Sequence, residues 1–375
     1  MITRNLILLI CISMILGCSH NTPSNPNGDM YISADVYNNY LYAYVAESSE
    51  VQYATINPDG SINQWHIAKF LQGASQVASL NNYFCPVNSP CLLDNSTMGV
   101  NYINNDYLYF IPWVAVTNFG THSPPPYWYP DILIYTPLHN DSSIGSWFTT
   151  TPFKGEYVTE SDGSLHTESG KFGFTYIIYN NYLYMVGGQY FFYDGSPFVV
   201  SVVTTTAYAS INPDGSINQW QFTTGLYSYG PPIMFVYNNW LYAIPTDTNT
   251  TYYRAPINPD GSLGARITYT TSIALSGWWG TYYKGYVYLV GGDKPAWQST
   301  SPTTMVQYAQ INADGSIGNW IQTTPLNKAR DEDGVIAYNG YLYAIAGDGS
   351  GNSVEYAPIN SDGSLGKWKF TTPLQ

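Results

Sequence analysis

Val36-Tyr-Asn-Asn-Tyr-Leu-Tyr42 and Tyr53-Ala-Thr-Ile-Asn-Pro-Asp-Gly-Ser-Ile-Asn-Gln-Trp65 are the two stretches that decide how this chain folds. In the first, aromatic and branched residues flank Asn-Asn, a pair that tolerates positive φ and suits a two-residue hairpin turn. The stretch recurs as Ile178 to Tyr184, Val236 to Tyr242, Tyr282 to Tyr288 and Ala337 to Tyr343, with a looser copy from Tyr102 to Tyr109. In the second, Pro fixes φ, Asp closes a turn and Gly takes the left-handed position, so this loop is also a hairpin. It recurs as Tyr208 to Trp220, Tyr308 to Trp320 and Tyr356 to Trp368. Weaker copies run from Tyr135 to Trp147 and from Tyr253 to Ile267, the latter without its Trp. Each repeat is therefore two hairpins, four strands a, b, c and d.

The Leu or Val of the first stretch falls at 41, 108, 183, 241, 287 and 342, with spacings of 67, 75, 58, 46 and 55. Such spacings suit propeller blades of about 50 residues with variable insertions. Radial repetition also leaves no long exposed sheet edge. The expected fold is an all-β, six-bladed propeller of four-stranded antiparallel blades. Val77 to Phe84 and Tyr157 to Leu165 look like degenerate hairpins. They do not fall in the order one more blade needs and are read as insertions, with seven blades as the alternative. The recurrent Trp65, Trp147, Trp220, Trp320 and Trp368 hold a fixed place in each unit, which marks them as packing residues.

The doublet Leu-Tyr-x-x-Gly-Gly, followed downstream by Tyr and then Trp, resembles the kelch repeat of kelch and galactose-oxidase-like propellers. Gly187-Gly188 and Gly291-Gly292 match its diglycine, Ala346-Gly347 nearly so, and three of the six units lack the pair. Pro325-Leu-Asn-Lys-Ala-Arg330 ahead of Asp333-Gly-Val-Ile-Ala-Tyr338 is similar to that family's loop into strand a. The resemblance spans about residues 30–375 and implies a structural role for Arg330. Lys328, Arg330, Asp331, Glu332 and Asp333 are accordingly read as an ion-pair network first and a site second.

Ahead of the repeats, Arg4 and the apolar run Leu6 to Leu16 form an export signal, too short for a mature membrane span. Ile15-Leu16-Gly17-Cys18 resembles the lipobox of bacterial lipoproteins, which implies cleavage before Cys18 and acylation of that residue. The expected organisation is a signal peptide over 1–17, a lipidated N-terminus and tether over 18–29, and one propeller domain over 30–375. Acyl chains contribute about 0.8 kcal/mol per buried CH₂ and hold a protein on a membrane without a transmembrane helix. Cys85 and Cys91 are then the remaining pair in an oxidising compartment, and a disulfide is expected. A metal site is the competing idea, but no His lies nearby to complete a ligand set.

Twelve basic residues stand against 25 acidic ones in 375, without a basic run, which argues against nucleic acid as a partner. The expected partners are the membrane, through the anchor, and a glycan or envelope or extracellular protein. In up-and-down blades the a–b and c–d turns share one face of the ring, and the b–c and d–a connections share the other. Here the a–b and c–d turns are the short repeated ones. All variable length lies in b–c and d–a segments, at about 66–99, 112–131, 148–173, 189–205, 268–278, 293–304 and 321–333. Variable loops on a rigid scaffold are where binding and catalysis concentrate.

These connections are rich in aromatics: Trp113, Tyr127, Trp128, Tyr129, Tyr190, Tyr193, Tyr227, Tyr229, Trp278, Trp279 and Trp297. Neighbouring aromatics on a strand cannot all turn inward, so some are expected to be exposed and to suit glycan rings or a protein partner. Packing of the insertions over the ring is the competing reading. Chemistry is sparse, with no HExxH, GxSxG, Walker loop or GxGxxG. The copper chemistry of galactose oxidase needs a Tyr–Cys crosslink that the cysteine positions do not suit, and no cofactor is expected. Asp-Gly-Ser-Ile-x-x-Trp approaches the sialidase Asp-box but is out of register. Glu156, Glu160, Asp162, His166 and Glu168 share one insertion and read as a solvated segment before a Ca²⁺ or acid–base site. Two classes stay open: a surface-anchored binding or structural module, favoured by the scarcity of His and Arg in the loops, and a carbohydrate-active propeller enzyme such as a lyase, epimerase or hydrolase.

Overall fold

Asn38 and Asn39 both adopt positive φ, 48° and 63°, and so do Asn180–Asn181, Asn238–Asn239, Lys284–Gly285 and Asn339–Gly340. Two consecutive left-handed residues define the hairpin turn whose twist matches that of the flanking strands. In this computed structural model the described residues are 32–45, 50–69, 98–104, 106–113, 133–139, 144–151, 153, 157–159, 165–167, 171–192, 199–202, 205–227, 231–246, 250–273, 278–292, 302–331 and 333–375. The segment 1–31, Val77 to Phe84, Cys85 and Cys91 lie outside them.

The repeats fold as expected, into six antiparallel sheets, each contiguous in the chain. Blade 1 comprises Ile32–Tyr37, Tyr40–Val45, Glu50–Thr55 and His66–Lys69, as strands a to d. Blade 2 comprises Met98–Asn104, Tyr107–Trp113, Ile134–Pro137 and Phe148–Thr149. Blade 3 comprises Lys171–Tyr179, Tyr182–Phe192, Thr205–Ser210 and Gln221–Thr224. Blade 4 comprises Ile233–Tyr237, Trp240–Ile244, Thr251–Pro256 and Ile267–Thr270. Blade 5 comprises Trp279–Tyr283, Tyr286–Val290, Val306–Gln310 and Ile321–Gln322. Blade 6 comprises Gly334–Tyr338, Tyr341–Ile345, Val354–Pro358 and Lys369–Thr371. The a strands touch one another in chain order, and that of blade 6 returns to that of blade 1, closing a six-bladed propeller. Two pieces stand apart from the repeat. Tyr157–Thr159 pairs with Leu165–Thr167 as a separate hairpin, an insertion rather than a seventh blade. Val199–Val202 adds to the far half of the long b strand of blade 3.

The core lies between blades. Leu41, Leu108, Leu183, Leu241, Val287 and Leu342, one on each b strand, are all fully buried. Each such burial is worth about 2 kcal/mol. Beside them, cross-strand Tyr pairs stack from b to c: Tyr42 on Tyr53, Tyr109 on Tyr135, Tyr184 on Tyr208, Tyr288 on Tyr308 and Tyr343 on Tyr356. In blade 4 the c-strand position belongs to Arg254, whose guanidinium lies 4.4 Å from the centre of the Trp240 ring. It donates to the Tyr242 and Tyr269 hydroxyls. A cation over an aromatic face replaces the stacked ring there.

Neighbouring blades are joined by a repeated set of hydrogen bonds. Tyr109, Tyr184, Tyr242, Tyr288 and Tyr343 donate their hydroxyls to the carbonyls of Gly215, Gly261, Gly315, Gly363 and Gly60, each in the c–d turn of the next blade. Those glycines have positive φ, and a Cβ on Gly261 would stand 2.4 Å from the Tyr182 ring, so conformation and space both require glycine. In the reverse direction, the Trp indole of a blade donates to the end of strand d of the preceding one. Trp65 reaches Thr372, Trp220 reaches Thr151, Trp320 reaches Thr271 and Trp368 reaches Thr324. Paired threonines complete the joint. The Thr371 hydroxyl accepts from the Ile62 amide and that of Thr372 donates to the Ile62 carbonyl, and Thr150–Thr151, Thr223–Thr224 and Thr323–Thr324 repeat the clamp.

Candidate functional site

The two faces of the ring follow from strand direction. Each a strand begins level with the end of b, as Ile32 opposite Val45 and Gly334 opposite Ile345. The a–b and c–d turns therefore lie on one face, and the b–c and d–a connections on the other. The turn face is closed by its own hydrogen bonds. In each Asp-Gly-Ser turn one Asp carboxylate oxygen accepts from the Ser amide and hydroxyl, as Asp59 from Ser61 at 3.0 and 2.6 Å. The same pair recurs at Asp214, Asp260, Asp314 and Asp362. These donors hold all five carboxyls below their ordinary pKa.

Among the described residues of the loop-rich face, a hydrogen-bonded network joins blades 5 and 6 around Arg330, which is fully buried. Its guanidinium donates to the carbonyls of Ala344, Ala346 and Ser353 and forms a 2.6 Å ion pair with Glu355, itself fully buried. Glu355 also accepts from the amides of Asn327 and Lys328. One charge pair thereby fastens the connection into blade 6 to strand c of that blade. A buried pair is costly to break on one side, because the other charge is left without its partner. Beside it, Asp333 is 1% exposed and neither carboxylate oxygen has a hydrogen-bond partner. Burial pushes its pKa up to about 7, while nearby Arg330 pulls the other way. The diglycine positions turn the chain here: Gly292 donates to the Arg330 carbonyl, and Gly347, at φ 98°, lies against the Asp331 carbonyl.

A depression of about 500 Å³ opens beside this network. Its walls are Pro302, Thr303, Met305, Gln322, Pro325 and Ala329, and no titratable side chain lines it. Deeper in the ring, the Asp35 carboxylate accepts from the amides of Val36 and Ile103 at 2.7 Å each, tying the a strands of blades 1 and 2. Burial raises its pKa to about 6. Among the described residues, no group of three His, Cys, Asp or Glu side chains is arranged to hold a metal ion.

The chain matches no protein-family model, and no curated protein matches it in sequence. Its architecture does have a solved counterpart. The structure described as "Structure of YjhT" superposes with a TM-score of 0.57 over 92% of this chain and 99% of that one, at 11% identity. At that identity the likeness is one of fold, a six-bladed ring, and carries no chemistry across.

The aromatic residues expected on the loop-rich face separate into three groups. Trp278 is 8% exposed and packs with Ile233, Phe235 and Leu289 between blades 4 and 5, so its ring serves the core. Trp279, the next residue, is half-buried, and its indole donates to Asp331 at 3.2 Å, beside the Arg330 network. Trp113 ends strand b of blade 2 opposite Met98, and Tyr190 lies in strand b of blade 3 opposite Lys171 and Ser201. Tyr127, Trp128, Tyr129, Tyr193, Tyr229 and Trp297 lie outside the described residues, as do Cys18, Glu156, Glu160, Asp162 and Glu168. Tyr227 is buried against Tyr253.

Sequence reasoning missed two participants. Glu355, the Arg330 partner, lies on a c strand far in sequence from the charged run 328–333. Arg266 occupies the Trp position of blade 4, where the repeat pattern shows only the loss of Trp. Its guanidinium donates to the Gly225 and Leu226 carbonyls of the preceding blade, the region the Trp indoles reach elsewhere. Counting from Asn-Pro-Asp-Gly shows Arg266 in register, so the signal was present.

Proposed function

We propose that this protein is a kelch-like propeller lipoprotein of the bacterial cell envelope that holds a glycan or a protein on its loop-rich face. The observation that carries the reading is the unlikeness of the two faces. On one face, hydrogen bonds inside and between repeats tie near-identical turns to themselves and to their neighbours. The other is the face of the b–c and d–a connections, where Trp113, Tyr190 and Trp279 lie at or near strand ends, and the sequences of these connections also carry Tyr127, Trp128, Tyr129, Tyr193, Tyr229 and Trp297. Aromatic anchors at recognition surfaces commonly cost about 2 kcal/mol when truncated. Glycan-array and envelope-protein binding by the soluble 19–375 form identifies the ligand. Trp128→Ala and Trp297→Ala are then expected to lower affinity about 30-fold while the melting temperature stays unchanged. Unchanged affinity in both variants, or turnover of a sugar by the purified protein, overturns the reading.

Anchoring and crosslinking have their own tests. Cys18→Ser is expected to move the protein from the membrane fraction to the soluble one or to stop its processing, and normal processing with retention on the membrane would exclude a lipid anchor there. Peptide mapping without reduction is expected to recover Cys85 and Cys91 in one linked species, whereas alkylation of both thiols in the exported protein would exclude the disulfide.

A further inference from the structure

Strand a of blade 1 starts at Ile32, opposite Val45 where strand b ends, so the chain enters the ring from the loop-rich face. It enters near the axis, because the a strands gather there, that of blade 1 against those of blades 2 and 6, and Ile32 itself is buried. The last strand, Lys369–Thr371, runs back from its c–d turn to the same face, where Gln375 exchanges two hydrogen bonds with Gln52. Fourteen residue steps join Cys18 to Ile32, at most about 50 Å of extended chain.

We infer that the loop-rich face is the membrane-facing side of the anchored protein and that the face of Asn-Asn and Asp-Gly-Ser turns looks away from the bilayer. The inference rests on the lipid anchor at Cys18 and adds an orientation to it. Its physical content is one of reach. A tether leaving the loop-rich face near the axis holds that face toward its attachment point, and turning the ring over would spend tether length on rounding the rim. Whatever the aromatic loops hold, they therefore hold in cis, between the ring and the membrane that carries the anchor. A five-residue strand spans about 17 Å, so the two faces stand at separable heights.

Two exposed positions on adjoining blades report the heights. Ser272 lies on the connection leaving blade 4 at the loop-rich face, and Ala313 lies in the c–d turn of blade 5 on the opposite face. A fluorescent non-natural amino acid replaces one or the other in the full chain, exported and processed with its cysteines intact. Energy transfer is measured to an acceptor on the headgroups of phosphatidylethanolamine–phosphatidylglycerol vesicles carrying the purified lipoprotein. Transfer from position 272 is expected to exceed that from 313 at least twofold, and Cys18→Ser, which leaves the ring in solution, is expected to abolish both. Equal transfer, or more from 313, in membrane-bound protein overturns the orientation and leaves the anchor standing. Recovery of the parent protein in the soluble fraction overturns the anchor, and the orientation with it.

Discussion

Asp333 shows how one side chain sets a property of the whole fold. Burial pushes its carboxyl up to about 7 from an ordinary 3.8, because it disfavours the ionised form more than Arg330 favours it. The folded state thus binds this proton more tightly. The resulting stability is complete below about pH 4 and is lost as the pH rises through 7. Asp35, at about 6, acts in the same direction. The turn carboxyls Asp59, Asp214, Asp260, Asp314 and Asp362 act oppositely, contributing above their ordinary range and ceasing to do so in acid. A midpoint of urea unfolding that falls between pH 5 and 8 is therefore expected for the parent. Asp333→Asn is expected to flatten that fall, recovering up to ~4 kcal/mol at pH 8. An identical pH profile in the variant would show that the carboxyl is not buried as described.

At the scale of the strand and turn, the fold is a joint made again at each junction with small substitutions. Arg266 is the most informative of these, because a guanidinium reaches the carbonyls beyond strand d of blade 3 where other blades send an indole. Arg266→Ala is expected to destabilise by about 1–2 kcal/mol through two lost bonds to backbone carbonyls. Arg266→Trp restores the repeat's own solution and is expected to lose less than half of that. Thermal denaturation of the two variants distinguishes a role in the joint from an incidental surface charge, for which both would melt like the parent. Elements of this kind were legible in the sequence to the extent that their causes are local. Asn-Asn and Asp-Gly turns announce themselves through φ, and strands through the aromatics that flank them. The Thr-Thr clamp and the Glu355 partnership were not legible, since each depends on which residues the ring brings together from different repeats. Trp278 and Trp279 make the same point: alternation along the strand says that they face differently, but only the neighbouring blade decides which one is buried.

For the molecule as a whole, the chain itself crosses five of the six blade junctions, and the sixth is held without a covalent crossing, by the apolar contact of Ile32, Leu41 and Trp65 with Tyr343, Ile345 and Val354 and by side-chain and terminal hydrogen bonds. Removing residues 372–375 takes away the Thr372 carbonyl that Trp65 uses, the Thr372 bond to Ile62 and both bonds between Gln375 and Gln52. That truncation is expected to lower the melting temperature by several degrees, with amide exchange increased first in blades 1 and 6. Protection lost evenly around the ring would contradict a seam. The direction of the inter-blade bonds carries a further consequence, for the order of events in time. At the four junctions from blade 2 to blade 6 the tyrosine hydroxyl waits on the earlier blade, while the glycine carbonyl and the indole or guanidinium arrive with the later one. A chain emerging from its N-terminus thus finishes each of these contacts as soon as the next c–d turn is made, and four joints can set while synthesis or export is still under way. Trp65 and Tyr343 must instead find each other's blades across all six repeats, so the ring closes after strand d of blade 6 is made.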